Sequence, residues 1–302
     1  MAVWAEPVRR PRYWLHGLLF ALTFLTTTGV GSRLASSFAH NRPASADYDL
    51  FGFAQFWLDP SVLVSGLPFS LTLLAILLAH EMGHYVACNY YGVEASLPYF
   101  LPAPTFIGTW GAFIRIRTPI YSRRALFDVG FAGPIAGFLV LLPVLVVGVA
   151  LSKVVPGIGT GGDLVFGTPA LLWISEKLAF PGVPASDIYL HPVARAAWVG
   201  LFATALNLLP IGQLDGGHIL YAFSGRRHKT LSRIFVATLV PMGIFYWPWL
   251  LWAAFLLFFG MRHPAIYDEE PLGRERVVLG WVALAIFLLC FMLAPIETNA
   301  AG

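Results

Sequence analysis

The chain has 302 residues, of which 58% are hydrophobic and only 12% charged, and its mean hydropathy is +0.72. Soluble domains sit nearer ~45–50% apolar and ~25% charged, so a water-facing globular protein is excluded and much of the surface must face lipid. A net charge of +3 gives no strong basic field, and no nucleic-acid partner is expected.

A hydrocarbon core of ~30 Å asks for about 20 apolar residues per spanning helix, and six or seven segments qualify. The first runs from about Tyr13 to Val30. Arg9 and Arg10 before it and small residues at 35–37 after it also permit a signal peptide. The second covers about Val62 to Cys88 and the third about Ala125 to Leu151. Between them, Pro98, Pro102 and Pro104 precede a period-two alternation over Phe113–Arg117, which predicts a re-entrant loop with short β-like strands. The loop from Lys153 to Ile188 is too short for an inserted globular domain, and the fourth helix spans about Pro192 to Leu209. Residues 231–260 exceed one span and contain Pro241, Gly243 and Pro248, which predicts two shorter helices meeting near Tyr246–Pro248. Val277 to Leu293 forms the last helix. The expected fold is an all-α polytopic membrane protein, one integral membrane domain over 1–302, with an N-terminal helix at 13–30 and C-terminal helices within 231–293.

Placing the N-terminus in the cytoplasm puts fourteen Lys and Arg residues on that side, among them Arg12, Arg115, Arg117, Arg123, Arg124 and Arg233. The other side keeps Arg33, Arg42, Lys153, Lys177 and Arg195, so the positive-inside rule favours this orientation. Cys88 and Cys290 lie in apolar runs without ligand or redox spacing and read as packing residues.

The second segment closes on His80-Glu81-Met82-Gly83-His84. Residues four apart share a helix face, so both imidazoles can meet one ion while Glu81 holds a water beside it, the spacing of zinc hydrolase chemistry. Ionisable groups at membrane depth are costly and by default mark function. Catalytic zinc usually has three protein ligands. Asp215, in Asn207-Leu-Leu-Pro210-Ile-Gly212-Gln-Leu-Asp215-Gly216-Gly217-His218, is the best third candidate, because the second and fourth helices run in the same direction and end at similar depth. An Asp before Gly-Gly is also a common turn residue.

Together His-Glu-x-x-His, Asn-x-x-Pro and the later Asp-Gly resemble the site-2 protease family of intramembrane zinc metalloproteases, peptidase family M50. The likeness covers about Val62 to Tyr221, that family's three-helix catalytic core, and Gly108–Arg117 looks like its plastid-type subgroup. The resemblance implies one Zn2+ held by His80, His84 and Asp215, Glu81 as general base and Asn207 orienting the substrate backbone or oxyanion. It also implies single-pass transmembrane proteins as substrates, cut within the lipid bilayer, and an active site toward the cytoplasmic side of a bacterial plasma (inner) membrane. Family members often carry Gly-Pro-x-x-Asn on the intervening helix; here Gly133-Pro134-Ile-Ala136-Gly137 puts a glycine where the amide would stand, and Gly133 and Gly137 read as a small-residue packing pair. The rival class is a zinc transporter or metal sensor, which needs no Glu81 between its ligands and would show paired sites or repeated halves. No regulatory domain is expected beyond the last helix, so control by a partner or by prior cleavage of the substrate is the corresponding expectation.

Overall fold

The computed structural model describes residues 12–43, 60–159, 161–162, 164–260, 266 and 270–298. Arg9, Arg10 and Arg262, which enter the charge count, lie outside the described residues.

Helix α1 spans Tyr13–Ala39, α2 Pro60–Tyr90 and α3 Arg123–Ala150. Among the described residues these three are long and apolar enough to cross a membrane. Their outward residues, such as Leu22, Leu71, Leu78, Leu139 and Val146, are apolar and exposed, as expected of a surface whose solvent is hydrocarbon. Helix α1 continues nine residues beyond the expected end at Val30. Its lower half carries Thr23, Thr27, Thr28 and Ser32, and each buried hydroxyl donates to a carbonyl one turn back. The helix therefore extends without leaving a polar group unpaired.

The later helices are shorter: α4 Ala170–Ala179, α5 Pro192–Asn207, α6 Asp215–Ser224, α7 His228–Met242, α8 Pro248–Phe255 and α9 Arg274–Cys290. The expected break near Tyr246–Pro248 is present: α7 ends at Met242 and α8 begins on Pro248 at its first position, where proline's missing N–H costs nothing.

The chain is not purely helical. Strands β1 (Tyr99–Pro102) and β2 (Thr109–Phe113) form an antiparallel hairpin. The alternating residues that suggested a strand lie just past it, where Ile116 bridges Ala95 and Arg117 N–H donates to the Glu94 carbonyl. Two more pairs join β3 (Lys153–Val154) to β5 (Ile188–Tyr189), and β4 (Leu164–Phe166) to β6 (Ile296–Thr298).

The main core gathers α3, α5 and α9 around Phe127, Leu141, Leu145, Trp198 and Leu201, while Phe69, Leu73, Leu74 and Val30 bind α1 to α2. Cys88 and Cys290 are free and fully buried, as packing residues should be.

Candidate active site and metal corner

His80 and His84 occupy successive turns of α2, and both face α3. The near contact depends on glycine. A Cβ built at Gly133 falls 2.1 Å from His84 Nε2, and one at Gly137 falls 3.1 Å from His80 Cβ. The small-residue pair of α3 is thus the recess that receives the two imidazoles, a role beyond helix packing. Gly137 lies against His80.

Asp215 opens α6. After α5 ends at Asn207, the chain turns through Pro210 and Gly212, whose φ is +58. Gly216 follows within the helix, where a Cβ would fall 2.0 Å from the Leu208 carbonyl oxygen. Asp-Gly-Gly is therefore a helix start pressed onto the end of α5, not a free turn. This docking brings the Asp215 carboxylate to the histidines: Oδ2 lies 3.1 Å from His80 Nε2 and Oδ1 3.3 Å from His84 Nε2, with the two Nε2 atoms 3.1 Å apart.

All three side chains offer one donor atom to a common point, within 4.8 Å of one another, and form the one such group found among the described residues. Atoms bound tetrahedrally at ~2.0–2.1 Å from zinc sit about 3.3 Å apart, which matches the observed spacing. His84 Nδ1–H donates to the Val129 carbonyl at 2.7 Å. That bond fixes the tautomer and turns the Nε2 lone pair inward. Two imidazoles and a carboxylate on a buried, oxygen- and nitrogen-only corner are a donor set that zinc accepts.

Glu81 is buried beside the pair, and β2 of the hairpin packs against α2. Asn207 places Nδ2 3.3 Å from His80 Nε2, so all five residues singled out by the sequence motifs meet in one place. His218 lies a turn beyond Asp215, its Cβ close to Gly130, outside the three-residue group.

Sequence reasoning does not reach two contributors: the Val129 carbonyl and an ion cluster at the end of α2. There Arg276 of α9 donates to both carboxylate oxygens of Asp128 on α3, at 2.9 and 2.6 Å, and the Tyr91 hydroxyl also donates to Asp128. Asp128 directly precedes Val129, so this cluster anchors the turn that orients His84. Asp128, a charge inside the third apolar segment, was the available signal.

The model of peptidase family M50 matches residues 68–248. The chain is 30% identical to a protein named probable zinc metalloprotease EGY1, chloroplastic, of Oryza sativa subsp. japonica, over 96% of this chain and 52% of that one. It is 32% identical to probable zinc metalloprotease EGY2, chloroplastic, of Arabidopsis thaliana, over 76% and 41%. An EGY3 relative from Oryza sativa subsp. indica shares 28% over 74% and 41%. The chain thus spans about half, or less, of the length of these curated relatives.

Proposed function

Because the chain belongs to peptidase family M50, we propose that it is an intramembrane zinc metalloprotease that hydrolyses peptide bonds within or near transmembrane segments of single-pass membrane proteins. The observation that carries this is Glu81, buried on the same turn of helix as two imidazoles that converge with a carboxylate on one point. A zinc transporter or sensor has no use for a carboxylate placed there, and the relatives' names speak for proteolysis.

His80, His84 and Asp215 are the proposed zinc ligands. When bound, the zinc supplies a Lewis acid that acidifies water and polarises the scissile carbonyl. Glu81 takes the proton of the attacking water and later returns it to the leaving amine. Asn207 directs its Nδ2–H at the carbonyl oxygen, where negative charge develops. The walls of α2, α3 and α5 limit water to what the reaction consumes.

The hairpin is the proposed re-entrant element. His16 Nδ1 contacts the Pro98 carbonyl at 3.1 Å, and Thr26 Oγ1 donates to the Gly108 carbonyl at 2.6 Å. Ten residues of α1 separate these contacts, about 15 Å of depth, which supports a hairpin that follows α1 halfway into a bilayer. The outer edge of β2 is then available to an unwound substrate strand. The proposed architecture is one membrane domain with its catalytic core at 62–221. The shorter α5 and α9, and α7 with α8, supply the remaining spans toward six or seven. The proposed orientation has the N-terminus and the His80–His84 end of α2 on the cytoplasmic side. The expected bacterial plasma membrane differs from the chloroplastic setting of the named relatives; a membrane-embedded protein is common to both.

Purified protein should contain about one zinc per chain by elemental analysis, lose it in His80→Ala and Asp215→Ala, and cleave a transmembrane reporter only when zinc is present. Full activity after complete zinc removal would overturn the assignment. Labelling of cysteines introduced at Tyr90 and at Pro156 with an impermeant reagent tests orientation: only the second should react from outside.

A further inference from the structure

On the side opposite the His80–His84 end, a cavity of about 400 Å³ lies between β4, α4, β5 and the start of α5. Most polar groups around it are already satisfied within the fold: Trp198 Nε1–H donates to the Gly167 carbonyl at 2.7 Å, and the Tyr189 hydroxyl donates to the Arg42 carbonyl at 2.6 Å. One is not. Glu176, only 5% exposed, lines the cavity with an Oε2 that has no hydrogen-bond partner among the described residues. A buried carboxyl oxygen without a partner costs free energy unless something arrives to meet it. Arg195 lines the same wall, its guanidinium lying over the Phe166 ring at 4.5 Å.

Arg195 and Trp198 also face a second, apolar recess between α1 and α5, lined by Val30, Leu34, Phe69, Ile107 and Val199. The two spaces share a wall, so a polar chamber lined by the Glu176 and Glu297 carboxyls and the Arg195 guanidinium backs onto a largely apolar groove that Arg33 borders. A ligand that satisfies both spaces has a hydrogen-bonding cation, an anion nearby and an apolar chain. At ~30 Å³ per water the chamber has room for about a dozen waters, enough for a small head group.

We propose that this is a binding site for an aminophospholipid, with its primary ammonium on Glu176, its phosphodiester on Arg195 and an acyl chain in the groove against α1. A short zwitterionic peptide offers the same two charges, but it does not supply the acyl chain that the adjoining groove fits. The site lies apart from the metal corner, and the proposal does not depend on the proteolytic reading.

The test uses full-length protein stripped of lipid in detergent and then exposed to equal amounts of dioleoyl phosphatidylethanolamine, phosphatidylcholine and phosphatidylglycerol, with retained lipid counted by native mass spectrometry. Phosphatidylcholine has no N–H to donate, and phosphatidylglycerol has no ammonium. Wild type should retain phosphatidylethanolamine about tenfold over either, the scale of one charge-assisted hydrogen bond. Glu176→Gln, which is isosteric and removes a buried charge, should bring that preference to about one; Arg195→Met should lower retention of all three lipids. Thermal melting of each variant reports folding separately. Equal retention of the three lipids by wild type, or an unchanged preference in folded Glu176→Gln, would overturn the proposal. Displacement of retained lipid by a short zwitterionic peptide without any lipid preference would reassign the cavity to polypeptide and likewise overturn it.

Discussion

Replacing Gly133 with alanine puts a methyl carbon 2.1 Å from His84 Nε2 and within 2.5 Å of two further ring atoms. Ordinary contact is ~3.5 Å, so the ring must retreat by about 1.4 Å. The helices cannot separate easily, because Gly83 and Ala132 are themselves in close backbone contact across the same crossing. The imidazole moves instead, and its 2.7 Å bond to the Val129 carbonyl is lost. A displacement of that size in a reacting assembly costs about 100-fold in rate, or about 2.7 kcal/mol. Loss of the orienting bond weakens metal affinity about 10- to 100-fold. Gly137→Ala is the internal control: its Cβ meets His80 Cβ at 3.1 Å, which a shift of a few tenths of an ångström relieves, so activity should fall less than about tenfold. The assay is kcat/KM on a transmembrane reporter together with zinc affinity by competition with a chelating dye. A folded Gly133→Ala protein with wild-type zinc affinity and wild-type cleavage would refute the recess as the element that seats His84.

Asn207→Ala should lower kcat about 100- to 1000-fold with little change in KM and zinc content unaltered; loss of zinc would instead make Asn207 part of the metal corner. Asp128→Asn should destabilise the folded chain by about 2 kcal/mol, because Arg276 keeps its charge while losing a two-point partner, and a Tm equal to wild type would contradict this. Burial pushes the Glu176 carboxyl up from 4.5 to about 7, against the pull of Arg195 and Lys177. The folded chain therefore holds that proton more tightly than the unfolded chain. This contribution is fully present below pH 4.5 and is lost as pH rises through about 7, so Tm should fall between pH 5 and pH 8, and Glu176→Gln should flatten that fall. An identical pH slope in the variant would rule the group out as its source.

The grouping of the candidate site residues was legible in the sequence because it is written in local spacing. His80 and His84 share a face by helical period alone, and Asp215 follows from equal depth on helices running the same way. The boundaries of α2, α3 and α5 came within a few residues, since composition changes sharply where a helix leaves lipid. What resisted reading depends on contacts between distant segments. The role of Gly133 needs the crossing of α2 and α3, the packing of β2 on α2 needs the hairpin's return, and β4–β6 joins residues 130 apart. Helix α1 outruns its expected end because Gly31, Ser32, Arg33, Ser36 and Ser37 interrupt the apolar run, although the Ser32 hydroxyl bonds within the helix. Asp128 shows the opposite case: a charge inside an apolar segment was visible, but only the fold pairs it with Arg276 at the start of α9.

The most direct test of the account compares membrane-protein fragments in cells carrying wild type or Glu81→Gln, with zinc measured in both purified proteins. The account predicts that zinc stays near one per chain in each while the fragments vanish in the variant and intact single-pass precursors accumulate. Fragments unchanged in a zinc-loaded Glu81→Gln protein would contradict it.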